Sequence, residues 1–168
     1  MNDEDFPHTG FQPADPEFER RVRASFARHG FMKTLEAAIS ALAPGACEIA
    51  VPYREGLSQQ HGFFHGGVVG TLADTGGGYA AYTLMPADAS ILTVEFKVNL
   101  LAPAHGETLI SRSRVIRAGR TLTVCRSSVF VSKDGAEKLC AEGLVTLMAL
   151  HGQPDAPPPN NPQTQPNA

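Results

Sequence analysis

Residues 61–84 read HGFFHGGVVGTLADTGGGYAAYTL, and no other stretch restricts the fold of this chain so strongly. From His65 onward it reads as one long buried helix, expected over about 66–84, with Pro86 just beyond its end. Yet the stretch contains seven glycines, and each glycine costs a helix up to about 1 kcal/mol against alanine. Asp74 stands among Leu72, Ala73 and Tyr79, where a carboxylate must find a partner or be desolvated. Packing around the helix, and a use for the carboxylate, have to compensate for both.

The flanking sequence supplies the packing. After the helix the pattern switches to a period of two. Leu92, Val94, Phe96, Val98 and Leu100 alternate with Thr93, Glu95, Lys97 and Asn99. This is a one-sided strand, with Thr93 on the same face as Glu95 and Lys97. Three more strands are expected at about 106–117, 121–132 and 137–149, and their turns contain Ala118-Gly119 and Asp134-Gly135. Upstream, Asp15-Pro16 reads as a helix start, Phe18, Val22 and Phe26 recur every four residues, and Gly30 is the expected stop. A short turn over Phe31–Glu36 follows. Residues 38–43 and ACEIAVPY then read as a strand pair around Pro44-Gly45. Strands, one long helix, then four strands joined mainly by hairpins make an α+β domain with a single helix against an antiparallel sheet.

A chain of 168 residues is long enough for one domain with a real core. That domain is expected over 15–150, with an N-terminal helix over 15–30. Residues 1–14 read as a flexible tail and 151–168 as a disordered, Pro-rich one. No apolar run approaches the ~20 residues of a membrane span, and the acidic N-terminus has no apolar signal region. Cys47, Cys125 and Cys140 are odd in number and widely spaced, which fits reduced thiols in a cytoplasm. There is no CxxC or HExxH, so no metal is expected. The net charge of −3 gives no reason to expect nucleic acid.

The Gly66-Gly67 pair at the helix start lets another group approach the backbone. It also presents unpaired N–H groups at the positive end of the helix dipole. Such an end suits an anion, or a carbonyl oxygen that becomes an oxyanion, with Gly66 as the donor. Asp74 lies eight residues on, roughly 12 Å along the axis and about 80° around it. One small carbonyl cannot touch both groups of one helix. If they act on one bond they come from two copies of the chain, with two helices antiparallel across a two-fold axis. Gly76, Gly77 and Gly78 would then admit a partner backbone or a thin ligand channel. Elsewhere, residues 108–133 hold no Asp or Glu but carry Arg112, Arg114, Arg117, Arg120, Arg126 and Lys133. This is either a solvated strand face or a phosphate-binding patch, and Arg120 beside Gly119 is the best single candidate.

HGFFHGG followed by LAD and a small-residue helix resembles the hotdog-fold acyl-CoA thioesterases, in particular the branch associated with phenylacetate catabolism. VEFKVNLLAPAHGE (94–107) and RAGRTL (117–122) extend the likeness, which covers about residues 31–149. The resemblance implies a long central helix wrapped by a curved antiparallel sheet, and a homodimer or homotetramer with its sites at the subunit interface. It implies that the Gly66 N–H polarises a thioester carbonyl and that Asp74 is either the nucleophile or the general base for water. His65 is the motif histidine, either next to the site or holding the helix start. Gln59 stands six residues before it, where the family carries Asn or Gln. Thr93 falls where some members orient water with Ser or Thr. The acyl group is expected along the helix, against Gly76, Gly77, Gly78 and Phe63 or Phe64, with Gly67 as a further substrate contact. No cofactor is implied, since the coenzyme A thioester is the substrate. Two rivals stay open: a hotdog hydratase or dehydratase, and a non-enzymatic acyl-CoA sensor.

Overall fold

The computed structural model describes residues 10–156. Its N-terminal helix α1 (Phe18–Arg28) buries Val22 and is followed by a short α2 (Gly30–Thr34), which buries Met32. Asp15 starts α1 by accepting the Glu17 N–H at 2.9 Å, and it also pairs with Arg21 at 2.8 Å. The Arg21 guanidinium lies 4.2 Å from the centre of the Tyr82 ring and donates to the Met85 carbonyl at 2.7 Å. This arrangement pins α1 across the end of the long helix.

Strands β1 (Ala38–Ala43) and β2 (Ala46–Pro52) pair around Pro44-Gly45. The long helix α3 runs Gly66–Tyr82, and β3 (Ser90–Leu100), β4 (Thr108–Ala118), β5 (Leu122–Lys133) and β6 (Ala136–Leu150) follow. The β5–β6 turn is Asp134-Gly135, both at positive φ (51° and 75°), which is the backbone a two-residue hairpin needs. All six strands form one antiparallel sheet in the order β1-β2-β4-β5-β6-β3. Helix α3 packs against β2, β3, β4, β5 and β6, so the sheet wraps around it. This is the hotdog fold.

The hairpin reading of the last four strands needs one correction. β3 does not turn back onto β4. It crosses to the far edge and pairs with β6. Alternation reads which residues share a face, but it carries no information about the neighbour of a strand in space. β3 is thus an edge strand, and Leu92, Val94, Phe96 and Leu100 on it are about half exposed.

Close packing under α3 explains two of its glycines. A Cβ on Gly76 would stand 2.4 Å from Ser113 Oγ and 2.8 Å from Ser111 Oγ. A Cβ on Gly77 would stand 3.0 Å from Val145. The three buried serines form a chain: Ser111 to Ser113 at 3.2 Å, Ser113 to Ser127 at 2.7 Å, and Ser127 to the Ala73 carbonyl at 2.7 Å. These glycines admit the chain's own sheet, and the expected partner backbone or ligand channel is absent at both positions. Cys47, Cys125 and Cys140 are free and buried.

Parts of the expected tails make contacts with the domain. Phe11 packs against the core, and Ala14 N–H bonds to the Leu84 carbonyl at 3.4 Å. At the other end Asp155 pairs with Arg28 at 2.8 Å. The rest of both tail expectations, residues 1–9 and 157–168, lies outside the described residues.

Candidate active site

The turn before α3 is fixed at several points. Phe64 N–H donates to the Ala104 carbonyl and His65 N–H to the Leu57 carbonyl, both at 2.9 Å. Gln59 organises the loop between them: its N–H donates to the Phe63 carbonyl at 2.9 Å, and its side-chain Oε1 accepts the His61 N–H. His65 then caps the helix, its Nδ1 accepting the Gly67 N–H at 2.9 Å. An Nδ1 that accepts leaves the proton of the neutral ring on Nε2. Capping uses the Gly67 N–H, whereas the Gly66 N–H has no hydrogen-bond partner among the described residues. The position tolerates no side chain without adjustment, since a Cβ on Gly66 would stand 3.1 Å from Leu100 Cδ1. The free donor therefore sits at the positive end of the helix, where first-turn N–H groups lack intrahelical partners.

Two turns on, half-buried Asp74 accepts a hydrogen bond from Thr93 Oγ1 on its Oδ1 at 2.7 Å. Simple alternation turned Thr93 away from the helix. The strand register explains the reversal. The β3–β6 pairing shifts between Thr93 and Glu95, leaving Val94 as an extra residue. Thr93 lies opposite buried Leu147, while Glu95 lies opposite Thr146, one residue out of step. A bulge of this kind re-aims the side chains on either side of it. Ile91 and Thr93 before the bulge, and Phe96, Val98 and Leu100 after it, share the helix face.

Asp74 opens into a cavity of about 560 Å³. Helix α3 contributes Thr75, Gly78 and Tyr79, and β3 contributes Ile91 and Thr93. Ser25 and Arg28 of α1, His29 at its C-terminal cap and the segment at Asp155 close the other side. Among the described residues nothing lies within 4 Å of a Cβ built on Gly78, so this glycine widens the cavity. Burial raises the pKa of Tyr79, so it presents a neutral hydroxyl, 3.5 Å from Ser25 Oγ. The α1 residues escaped the sequence reading. Their signal is faint: Ser25, Arg28 and His29 recur at helical spacing beside the Phe18–Val22–Phe26 stripe.

The site residues expected from sequence thus fall into separate groups. Asp74, Thr93 and Gly78 meet at the cavity. Gly66, Gly67, His65, Gln59 and Phe63 cluster at the helix start, eight residues from Asp74 in the case of Gly66 and so about 12 Å along the same helix. Two of the expected substrate contacts are buried in the chain itself. Gly77 is packed on Val145, and Phe64 is a core residue, 3% exposed and edge-on to Tyr53 at 5.3 Å. Phe63 is half-buried, against His105. Gly119 and Arg120 form the β4–β5 turn and do not line the cavity; the Arg120 carbonyl bonds to His151 Nε2 at 2.8 Å. The basic run is not one patch either. Arg112 pairs with Glu48 and Glu137, and Arg126 with Glu142. Among the described residues no group of three or more His, Cys, Asp or Glu side chains is placed to hold a metal ion, and no helix is long and apolar enough to cross a membrane.

Comparison with known proteins covers the same elements. The family profile described as the thioesterase superfamily matches residues 61–138, from the loop before α3 into β6. A thioesterase family protein from Silicibacter pomeroyi is 49% identical; the alignment covers 80% of this chain and 99% of that one, with a TM-score of 0.79. A Halobacterium salinarum protein, provisionally named an esterase, is 33% identical over 134 residues, which is 77% of this chain and 87% of the relative. A Ralstonia eutropha protein, provisionally named a thioesterase and described as phenylacetic acid degradation-related, is 26% identical over 78% of this chain and 98% of its own, with a TM-score of 0.68.

Proposed function

This chain belongs to the thioesterase superfamily, and we propose from that premise that it hydrolyses acyl-CoA thioesters to the free acid and coenzyme A, in the manner of the phenylacetate-associated branch. The observation that carries the reading is the Asp74–Thr93 pair at the mouth of a cavity, on a helix whose first N–H is unpaired. Thr93 donates to Oδ1 and so fixes the carboxylate, while Oδ2 has no partner among the described residues. A hydroxyl that donates its proton still has lone pairs to accept from water. In this mechanism the thioester carbonyl lies on the Gly66 N–H and Asp74 faces its carbon. Oδ2 either takes a proton from the attacking water or attacks the carbonyl itself, forming an anhydride that water opens. The Gly66 N–H stabilises the oxyanion in both routes.

Gly66 and Asp74 of one helix are too far apart to share a bond, so the acting unit is a homodimer. The free edge of β3, with its exposed Val94, Phe96 and Leu100, is the face that suits this pairing. Exposed Ile116, Leu122 and Leu144 on the outer face of the sheet suit a further association into a tetramer. The three buried free thiols suit a reducing compartment such as the cytoplasm.

The test is release of free thiol from a panel of aryl- and straight-chain acyl-CoAs by wild type and Asp74→Asn. Loss of about 10²–10⁴-fold in kcat with binding retained supports the reading. Binding without turnover by wild type would make the protein an acyl-CoA sensor, and a hydration product from an enoyl-CoA would make it a hydratase.

A further inference from the structure

The cavity next to Asp74 already holds a carboxylate bound by an arginine. Arg28 NH2 donates to Asp155 Oδ2 at 2.8 Å and to the Asp155 carbonyl at 2.7 Å, and both residues line the cavity. A third bond, from Arg28 NH1 to the Ala24 carbonyl at 3.0 Å, holds the guanidinium on α1. One guanidinium nitrogen holds the carboxylate while the other is committed to α1, so Arg28 is a one-point receptor that binds that group through a charge-assisted hydrogen bond.

Its present occupant is held weakly. Arg28 and Asp155 side chains are 48% and 37% exposed, and an ion pair so open to solvent contributes little. Among the described residues, and apart from Arg28, the hydrogen bonds of residues 152–156 stay within that segment, as from the Ala156 N–H to the Pro154 carbonyl. A carboxylate delivered by a tightly bound substrate can therefore replace that of Asp155. Exchanging one carboxylate for another leaves the charge of the cavity unchanged. Asp74 and Arg28 line the same cavity.

Resting on the thioesterase reading above, we propose that Arg28 is a specificity residue that selects acyl groups ending in a carboxylate, and that Asp155 occupies its place in the empty enzyme. The substrate class is then the mono-CoA thioesters of dicarboxylic acids. Thr75, Tyr79 and Ile91 would flank the spacer, and hydrolysis would release a diacid.

The experiment compares adipoyl-CoA with hexanoyl-CoA, which differ only in the terminal group, on the full chain. Wild type is expected to favour adipoyl-CoA in kcat/KM. Arg28→Gln is expected to lower the adipoyl-to-hexanoyl ratio by about 10- to 100-fold, mainly through KM, as loss of a hydrogen bond between charged groups does. Asp155→Asn is expected to raise the same ratio by removing the competitor. A wild-type ratio at or below one overturns the inference. So does an Arg28→Gln effect equal on both thioesters, which would assign Arg28 to a phosphate of the common coenzyme A moiety. An unchanged ratio in Asp155→Asn overturns the occupancy of the receptor by Asp155. Hydrolysis of both thioesters without preference leaves the thioesterase reading standing. Absence of hydrolysis of either, across the wider acyl-CoA panel as well, removes both.

Discussion

Replacing Gly76 by alanine should destabilise the protein, although alanine is the better helix residue. The intrinsic gain is about 1 kcal/mol. Against it stands the new Cβ, 2.4 Å from Ser113 Oγ and 2.8 Å from Ser111 Oγ. Ser113 Oγ has to rotate away, and both of its serine contacts go with it, at 3.2 and 2.7 Å. Each such bond is worth about 1 kcal/mol net, and stranding a buried hydroxyl costs a further ~1–3 kcal/mol. Ser111, Ser113 and Ser127 are at most 2% exposed, so water cannot replace the lost partners. The balance is a loss of about 2–4 kcal/mol. Gly78→Ala supplies the control two residues away. No atom lies within 4 Å of its added Cβ, so the helix gain should survive and stability should rise by up to about 1 kcal/mol. Equilibrium unfolding in urea at one protein concentration reads both as opposite shifts of midpoint at constant m. Gly76→Ala at or above wild-type stability would refute the account of the serine chain.

Two further predictions concern the site and the pH response. Thr93→Val should lower kcat by about 10- to 100-fold with little change in KM, because it removes a hydrogen bond to an ionised carboxylate, while Thr93→Ser should keep most activity; steady-state kinetics on one acyl-CoA decide it. Asp15 is held below the usual carboxylate pKa by the Arg21 hydrogen bond and then the Glu17 N–H, and Glu137 by the Arg112 hydrogen bond. Both bind fewer protons folded than unfolded below about pH 4, so their contribution is present above that pH and is lost as pH falls further. Acid titrations of Asp15→Asn and Glu137→Gln, followed by urea midpoint, should show a shallower loss than wild type.

The site was legible in the sequence where its residues share one helix. The Gly66–Asp74 spacing alone sets the distance on which the proposed dimer rests. It was illegible where geometry depends on a neighbour. Val94 looks like one more alternating residue, and only its pairing with β6 reveals the bulge that turns Thr93 inward. Gly76 and Gly77 announce a close approach without naming what approaches. Arg28 belongs to a helix forty-six residues before Asp74, and its place at the cavity follows from how α1 docks through Arg21, Tyr82 and Met85. The fold class was within reach because period, turn chemistry and element order agree. The β3–β6 ladder was not, because it joins strands with β4 and β5 lying between them in sequence.

That ladder also sets an order of events during synthesis. The ribosome emits Asp74 and Thr93 within nineteen residues of each other. Thr93 is nevertheless held on its strand by Leu147, which emerges last of the three. A nascent chain halted at the β5–β6 turn would carry every residue assigned to bond cleavage, yet have no template to bulge β3 against. Competence for chemistry therefore waits on β6, the strand that lies between β5 and β3 in the sheet.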